Sequence, residues 1–260
     1  MRNLTLFCAL LLACCAAAPE APSEASGPEE LTPGQAFEHA IELRDANQLA
    51  EARLWLESAA ERGNAEAQFE IGLWLLTGRD GRTDASQAAR WIELAAGQGQ
   101  RDALRYVWQL YLFGKGVPED VGKAFDWLRR GAGRGDPELC HRMGVWLYEG
   151  HTAAPDPAAA RSWFEKASAG GMGASSYFLG VMAQEGIAGE KDEAAAFQWF
   201  SVGSRQGHAA SHLALGDCYR EGWGVSTDAR QAEARYRMAA ASDDGEVAKA
   251  ARERLKSLHP

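Results

Sequence analysis

The stretch Asp120-Val121-Gly122-Lys123-Ala124-Phe125-Asp126-Trp127, closed by Gly135 and followed by Met143-Gly144 and Gly150, decides the fold because the chain repeats it. Trp55, Trp91, Trp127, Trp163 and Trp199 fall at intervals of 36 residues, each with an alanine three positions earlier (Ala52, Ala88, Ala124, Ala160, Ala196). Glycines keep the same step at Gly63, Gly99, Gly135, Gly171 and Gly207, and again at Gly78, Gly114, Gly150, Gly186 and Gly222. So do Asp84, Asp120, Asp156, Asp192 and Asp228. A period of this length marks a stacked array of small helical units. The aspartate caps a first helix by accepting from its free amides. Alanine and tryptophan three apart share one face of that helix, which places the five tryptophans in the core. The first glycine set ends the first helix, and the second set ends a second helix that carries Ile71, Val107, Met143, Leu179 and Leu215 at one repeat position. Such a pair cannot bury its apolar face alone and must stack. The sequence therefore predicts an all-α fold, a right-handed α-solenoid of five to six 36-residue helix-turn-helix units.

The motif Ala124-Phe125-Asp126-Trp127, with Gly135, Met143-Gly144, Gly150 and the loop Gly114-Lys115-Gly116-Val117-Pro118-Glu119-Asp120, resembles the Sel-1-like repeat, a branch of the tetratricopeptide superfamily. That resemblance implies a scaffold that binds a protein or peptide in the groove of the stack.

Both ends depart from the pattern. Thr32-Pro33 opens an expected capping helix within residues 31–47, five repeats occupy 48–223, and 224–260 hold a degenerate repeat and a charged closing helix. In the degenerate unit Tyr236 is read as the tryptophan's equivalent, one residue late. At the other end Met1-Arg2-Asn3 and an apolar run from Leu4 to Leu12 read as a signal peptide over residues 1–13, too short to span a bilayer. Leu11-Leu12-Ala13-Cys14 resembles the lipobox of bacterial lipoproteins, which makes Cys14 the expected lipid attachment residue. Residues 14–30, rich in Pro and Glu and without a basic residue, are the expected disordered acidic tether. The expected location is the bacterial cell envelope, on the periplasmic side of the outer membrane, with a soluble periplasmic or secreted form as the alternative.

Composition narrows the function. The 260 residues carry 36 acidic and 27 basic side chains, a net charge of -9, which is the wrong sign for coating nucleic acid. No Ser-x-x-Lys, Gly-x-Ser-x-Gly, His-Glu-x-x-His or phosphate-binding glycine loop occurs, so neither catalytic residues nor a cofactor or metal is assigned. His208 and His212 have the spacing of two ligands on a helix but no third, and read as solvated. Cys140 and Cys218 lie two units apart, beyond disulfide reach, and read as small buried hydrophobes. For surface recognition, Trp108 stands where other units have glycine and Trp223 where they have a small loop residue, so each is an interface anchor if exposed. Arg129 and Arg130 form a basic patch beside them in the partner-binding set. The expected function is a non-catalytic scaffold in the envelope. Its sharper versions, drawn from the family resemblance, are an immunity protein against a type VI secretion toxin and an envelope assembly adaptor. The alternative is a periplasmic repeat enzyme that binds or hydrolyses cell-wall peptides or β-lactams.

Overall fold

The computed structural model describes residues 27–258, which form thirteen helices and no strand. The first helices of successive units are α2 (Leu49–Glu61), α4 (Ala85–Gln98), α6 (Val121–Ala132), α8 (Pro157–Ala169), α10 (Glu193–Arg205) and α12 (Ala229–Ala240). Second helices α3 (Ala65–Thr77), α5 (Arg101–Leu112), α7 (Pro137–Glu149), α9 (Gly173–Glu185) and α11 (Ala209–Glu221) alternate with them. At the ends lie α1 (Pro33–Asp45) and α13 (Gly245–Leu258). Each helix packs on its neighbours in sequence, and the closest pairs join a second helix to the first helix of the next unit.

Local chemistry sets the helix ends as the sequence predicts. Asp84 accepts from the Gln87 amide at 2.9 Å, and Asp120, Asp156, Asp192 and Asp228 cap α6, α8, α10 and α12 in the same way. Gly99, which ends α4, has φ +90°, and Gly78, which ends α3, has φ +67°, so both turns use the left-handed region that disfavours a side chain. At the N-terminus Thr32 and Gln35 close a reciprocal capping box with Pro33 at the first helical position.

The buried stripe of each first helix differs from the sequence expectation by one position. Leu56, Ile92, Leu128, Phe164, Phe200 and Tyr236 are 0–1% exposed, and each directly follows the tryptophan position. Of the periodic tryptophans only Trp55 is buried; Trp91, Trp127, Trp163 and Trp199 are half-buried. The helical period explains the correction. In α6 Ala124, Leu128, Gly131 and Ala132 stand at i, i+4, i+7 and i+8 and make one buried stripe, while Trp127 at i+3 falls on its edge. Tyr236 is therefore in register with Phe200, and the true counterpart of the tryptophan in the sixth unit is Arg235.

The facing second helix makes room for these core residues. An added Cβ at Gly72 would lie 2.7 Å from Ile92, and one at Gly144 would lie 2.6 Å from Phe164; Gly180 and Gly216 sit against Phe200 and Tyr236 in the same manner. In the remaining unit the repeat position of the glycine holds Trp108 and that of the residue facing it holds Leu128, where the next units have the larger Phe164, Phe200 and Tyr236. Trp108 is only 9% exposed and stands edge-on to Trp146 with ring centres 6.4 Å apart. Trp74 and Trp146 are buried between units, as expected.

At the C-terminal end α13 packs on α11 and α12, where Arg254 donates to Asp217 at 3.0 Å beside the Tyr236 hydroxyl, which donates to the same carboxylate at 2.7 Å. At the N-terminal end α1 covers α2, and Arg62 donates to the carbonyls of Pro28 and Leu31. Cys140 and Cys218 are both free and buried.

Candidate functional site: the tryptophan-bearing helix face

Because the core stripe runs one residue past each tryptophan, the indoles sit where the first helix meets solvent. Two carry cations on their rings at i+3, the separation at which helical side chains meet. The Arg130 guanidinium lies 4.9 Å from the Trp127 ring centre, and Lys166 Nζ lies 4.0 Å from that of Trp163. In α4 the i+3 neighbour of Trp91 is Leu94, which is 53% exposed. Leu54 on α2 and Met238 on α12 are also largely exposed, so three of the four exposed large hydrophobic residues among those described lie on first helices. The cost of leaving apolar side chains in water is set by area, and several on one face suggest an interaction surface.

An open, mainly apolar hollow of about 660 Å³ lies on this face between α4 and α6, lined by Arg90, Glu93, Leu94, Gly97, Gln98 and Trp127. A smaller hollow adjoins it at Gln87, Arg90, Trp91 and Leu94. Arg130 bridges the two helices by donating to the Gly97 carbonyl at 3.1 Å, and Arg134 donates to the Gly99 carbonyl at 3.2 Å. Glu93 accepts from the Tyr111 hydroxyl at 2.9 Å; burial, followed by this bond, pushes the phenol up to about 12.

The expected site residues separate. Arg130 belongs to this face, and Arg129 beside it is exposed and paired with Asp126 at 3.0 Å. Trp108 is not an exposed anchor, because it is packed in the core edge-on to Trp146. Trp223 is half-buried in the loop after α11, packed against the cluster around Phe200 and Cys218. Cys14 lies outside the described residues. Sequence reasoning missed Trp127 and Leu94 as surface residues; the i, i+3 pairs Trp127/Arg130 and Trp163/Lys166 are the signal that could have found them.

Elsewhere the polar groups are structural. His212 is buried rather than solvated, its Nδ1 2.8 Å from Ser204 Oγ, and His208 stands at the N-terminal boundary of α11 without a side-chain capping bond, its Nδ1 3.1 Å from Ser211 Oγ. His141 Nδ1 lies 2.8 Å from Ser175 Oγ. The serines in these pairs are buried. Burial, more than neighbouring charge, holds all three imidazoles below the ordinary histidine value, His141 at about 4. Among the described residues no group of three or more His, Cys, Asp or Glu side chains could hold a metal ion. A polar hollow of about 640 Å³ near α2 is spanned by Arg53, which donates to Glu57 at 2.7 Å and Asp80 at 2.6 Å and so ties α2 to the loop before α4. Among the described residues no helix is long and apolar enough to cross a membrane.

Stacked helix pairs with an exposed aromatic face define a repeat scaffold of the protein-interaction type. The Sel1 repeat family model matches residues 44–64, 65–100, 109–136, 137–172, 173–208 and 209–244, and the chain belongs to that family. The sixth match covers the unit that the sequence pattern marks as degenerate. Among solved structures, c5321, a protective antigen of uropathogenic Escherichia coli with an SLR fold, is 28% identical with a TM-score of 0.80. The match covers 88% of this chain and 49% of that one, so the chain spans about half the length of the antigen. A Sel1 repeat protein from Oxalobacter formigenes is 26% identical with a TM-score of 0.71, over 86% of this chain and 88% of that one. No curated protein matches the chain.

Proposed function

We propose that this chain is a non-catalytic scaffold that takes a protein or peptide partner on its first-helix face, and that it does so in the bacterial envelope, anchored through Cys14 on the periplasmic side of the outer membrane. The observation that carries the binding role is the row of half-buried tryptophans on α4, α6, α8 and α10, with exposed Leu94 on α4 and exposed Leu54 and Met238 on the first helices at either end, α2 and α12. Rigid indoles on a preformed backbone supply contact area at small entropic cost, which is what interface anchors require. The repeat scaffold and the Sel1 family are consistent with that role. Its sharper versions, immunity to a delivered toxin and envelope assembly, differ only in the partner.

The test places a photo-crosslinking residue at Leu94 and, as a control off this face, at Phe113 in cells that make the full chain. The expected result is a discrete protein adduct at Leu94 that Trp127→Ala removes and that does not form at Phe113. Adducts of equal pattern at both positions overturn the reading. Incorporation of labelled fatty acid that is lost in Cys14→Ser tests the anchor, and its absence overturns that part.

A further inference from the structure

Resting on the binding role just proposed, we infer that the segment seated in the hollow between α4 and α6 is acidic, with carboxylates interleaved among apolar side chains. The hollow is mainly apolar, with Leu94 and the Trp127 ring in its lining beside Arg90, Gln98 and Glu93. Arg90 lines it and Arg130 reaches it over the Trp127 ring and through the Gly97 carbonyl, while Arg134, one turn further along, binds the Gly99 carbonyl, on a protein whose net charge is -9. Two carboxylates stand among these arginines and both are engaged: Glu93 accepts from the Tyr111 hydroxyl, and Asp126 is paired with Arg129. No carboxylate among the described residues lies within ion-pair distance of Arg90, Arg130 or Arg134, while Arg129 already has Asp126.

The state of Arg130 and Arg134 sharpens the inference. A guanidinium has five N–H donors in one plane. Arg130 holds its guanidinium carbon over the Trp127 ring, 4.9 Å from the ring centre, and gives one donor to the Gly97 carbonyl. The one bond to Gly97 uses one of the five donors, so others remain for a carboxylate. Arg134 likewise gives one donor to the Gly99 carbonyl. Both contacts complement the negative end of the α4 dipole, which explains why arginines stand here but leaves most of their donors unused. An acidic segment would satisfy those donors while its apolar side chains cover Leu94 and Trp127. A basic segment would meet the cations of Arg90 and Arg130, and a wholly apolar one would strip water from their free donors without replacement.

The probes are a labelled peptide with leucine at every third or fourth position and glutamate between, its isomer with lysine for each glutamate, and vesicles rich in phosphatidylglycerol. The protein is the purified full chain. The expected result is saturable binding of the glutamate peptide with a change in tryptophan emission, weaker at high salt, and about tenfold weaker or less for the lysine isomer. Arg130→Glu combined with Arg134→Glu should reverse the preference, and Arg130→Gln should weaken glutamate-peptide binding without favouring lysine. Circular dichroism establishes that each variant is folded. Equal or preferred binding of the lysine isomer, no binding of the glutamate peptide, or vesicle binding that the glutamate peptide does not displace each overturns the inference. The Leu94 adduct separates the two readings: if it survives charge reversal but is lost in Trp127→Ala, the scaffold stands and the acidic partner falls.

Discussion

The Phe164 ring occupies the space that a side chain at Gly144 would need, with only 2.6 Å between an added Cβ and Phe164 Cδ1. The same exchange of volume recurs across the second and first helices of most units, and it is inverted at Trp108 and Leu128. Gly144→Ala should therefore destabilise the protein by about 1–3 kcal/mol through overpacking, more than offsetting the helix propensity that alanine gains. Leu128→Phe should cost a similar amount because Trp108 already fills that site. Adding Trp108→Gly to Leu128→Phe recreates the pairing of the other units and should recover part of the loss. Denaturant midpoints for the two singles and the double decide it: strict additivity would show that the two positions do not share space.

A second prediction concerns Asp136, which caps α7 through the Glu138 and Leu139 amides, both at 3.1 Å, and receives Arg101 at 2.8 Å and Arg105 at 2.8 Å. Burial alone would raise its carboxyl, but the two arginines and the cap hold it below the usual carboxylate value. Asp156 makes the cap contact of α8 without such partners. Asp156→Ala should cost about 1 kcal/mol, the ordinary loss of a cap, and Asp136→Ala about twice that, because the arginines lose their shared acceptor. Equal costs in urea denaturation would reduce Asp136 to a simple cap.

The pattern of Asp, Ala and Gly made the helix order and the caps legible, because each depends on its own neighbourhood in sequence. Which side of the tryptophan faces the core was also written there: Leu56, Ile92, Leu128, Phe164, Phe200 and Tyr236 are large and apolar without exception, although they vary in identity. Attention to the invariant residue hid the variable one beside it. The burial of Trp108 was not legible in this way, since it depends on the volume of Leu128 twenty residues on and on the ring of Trp146. The candidate site was half legible. Arg130 stood out as charge, but its stacking on Trp127 places it in the hollow only once α4 and α6 are adjacent.

The polar seam in the C-terminal units should make stability fall with acid. His141 faces Ser175 and Phe178 from α9 and Phe164 from α8, with Arg142 and His208 as the nearby charges. His212 faces Ser204 from α10 and the Arg235 cation from α12. A histidine whose folded value is depressed refuses a proton that the unfolded chain accepts, so stability declines as pH drops below about 6.5. For His141 the decline should continue until about pH 4 and then level off. Asp136 does not contribute above that range, because its stabilisation is lost only as pH falls below the ordinary carboxylate value. Melting temperature should therefore drop between pH 7 and 5, and the drop should shrink in the double variant His141→Phe, Ser175→Ala. A slope unchanged in that variant would assign the acid sensitivity to other groups.

The thiols provide the last prediction. Cys218 is 1% exposed, and burial, followed by the negative charge of Asp217, pushes its thiol up to about 12. Cys140 is equally buried, raised in the same direction by burial, and its thiol donates to the Ala132 carbonyl at 3.4 Å. The thiolate is the reactive form, so both lose reactivity through protonation as well as through access. In a Cys14→Ser, Cys15→Ser chain, neither should react with a thiol reagent at neutral pH in the folded state, and both should react together in denaturant. Because repeat arrays can open unit by unit, the labelling order during partial denaturation also reports cooperativity. If Cys218 is labelled at a denaturant concentration that spares Cys140, the C-terminal units open first, as expected from their histidine and serine seam; simultaneous labelling at every concentration would show that the stack unfolds as one.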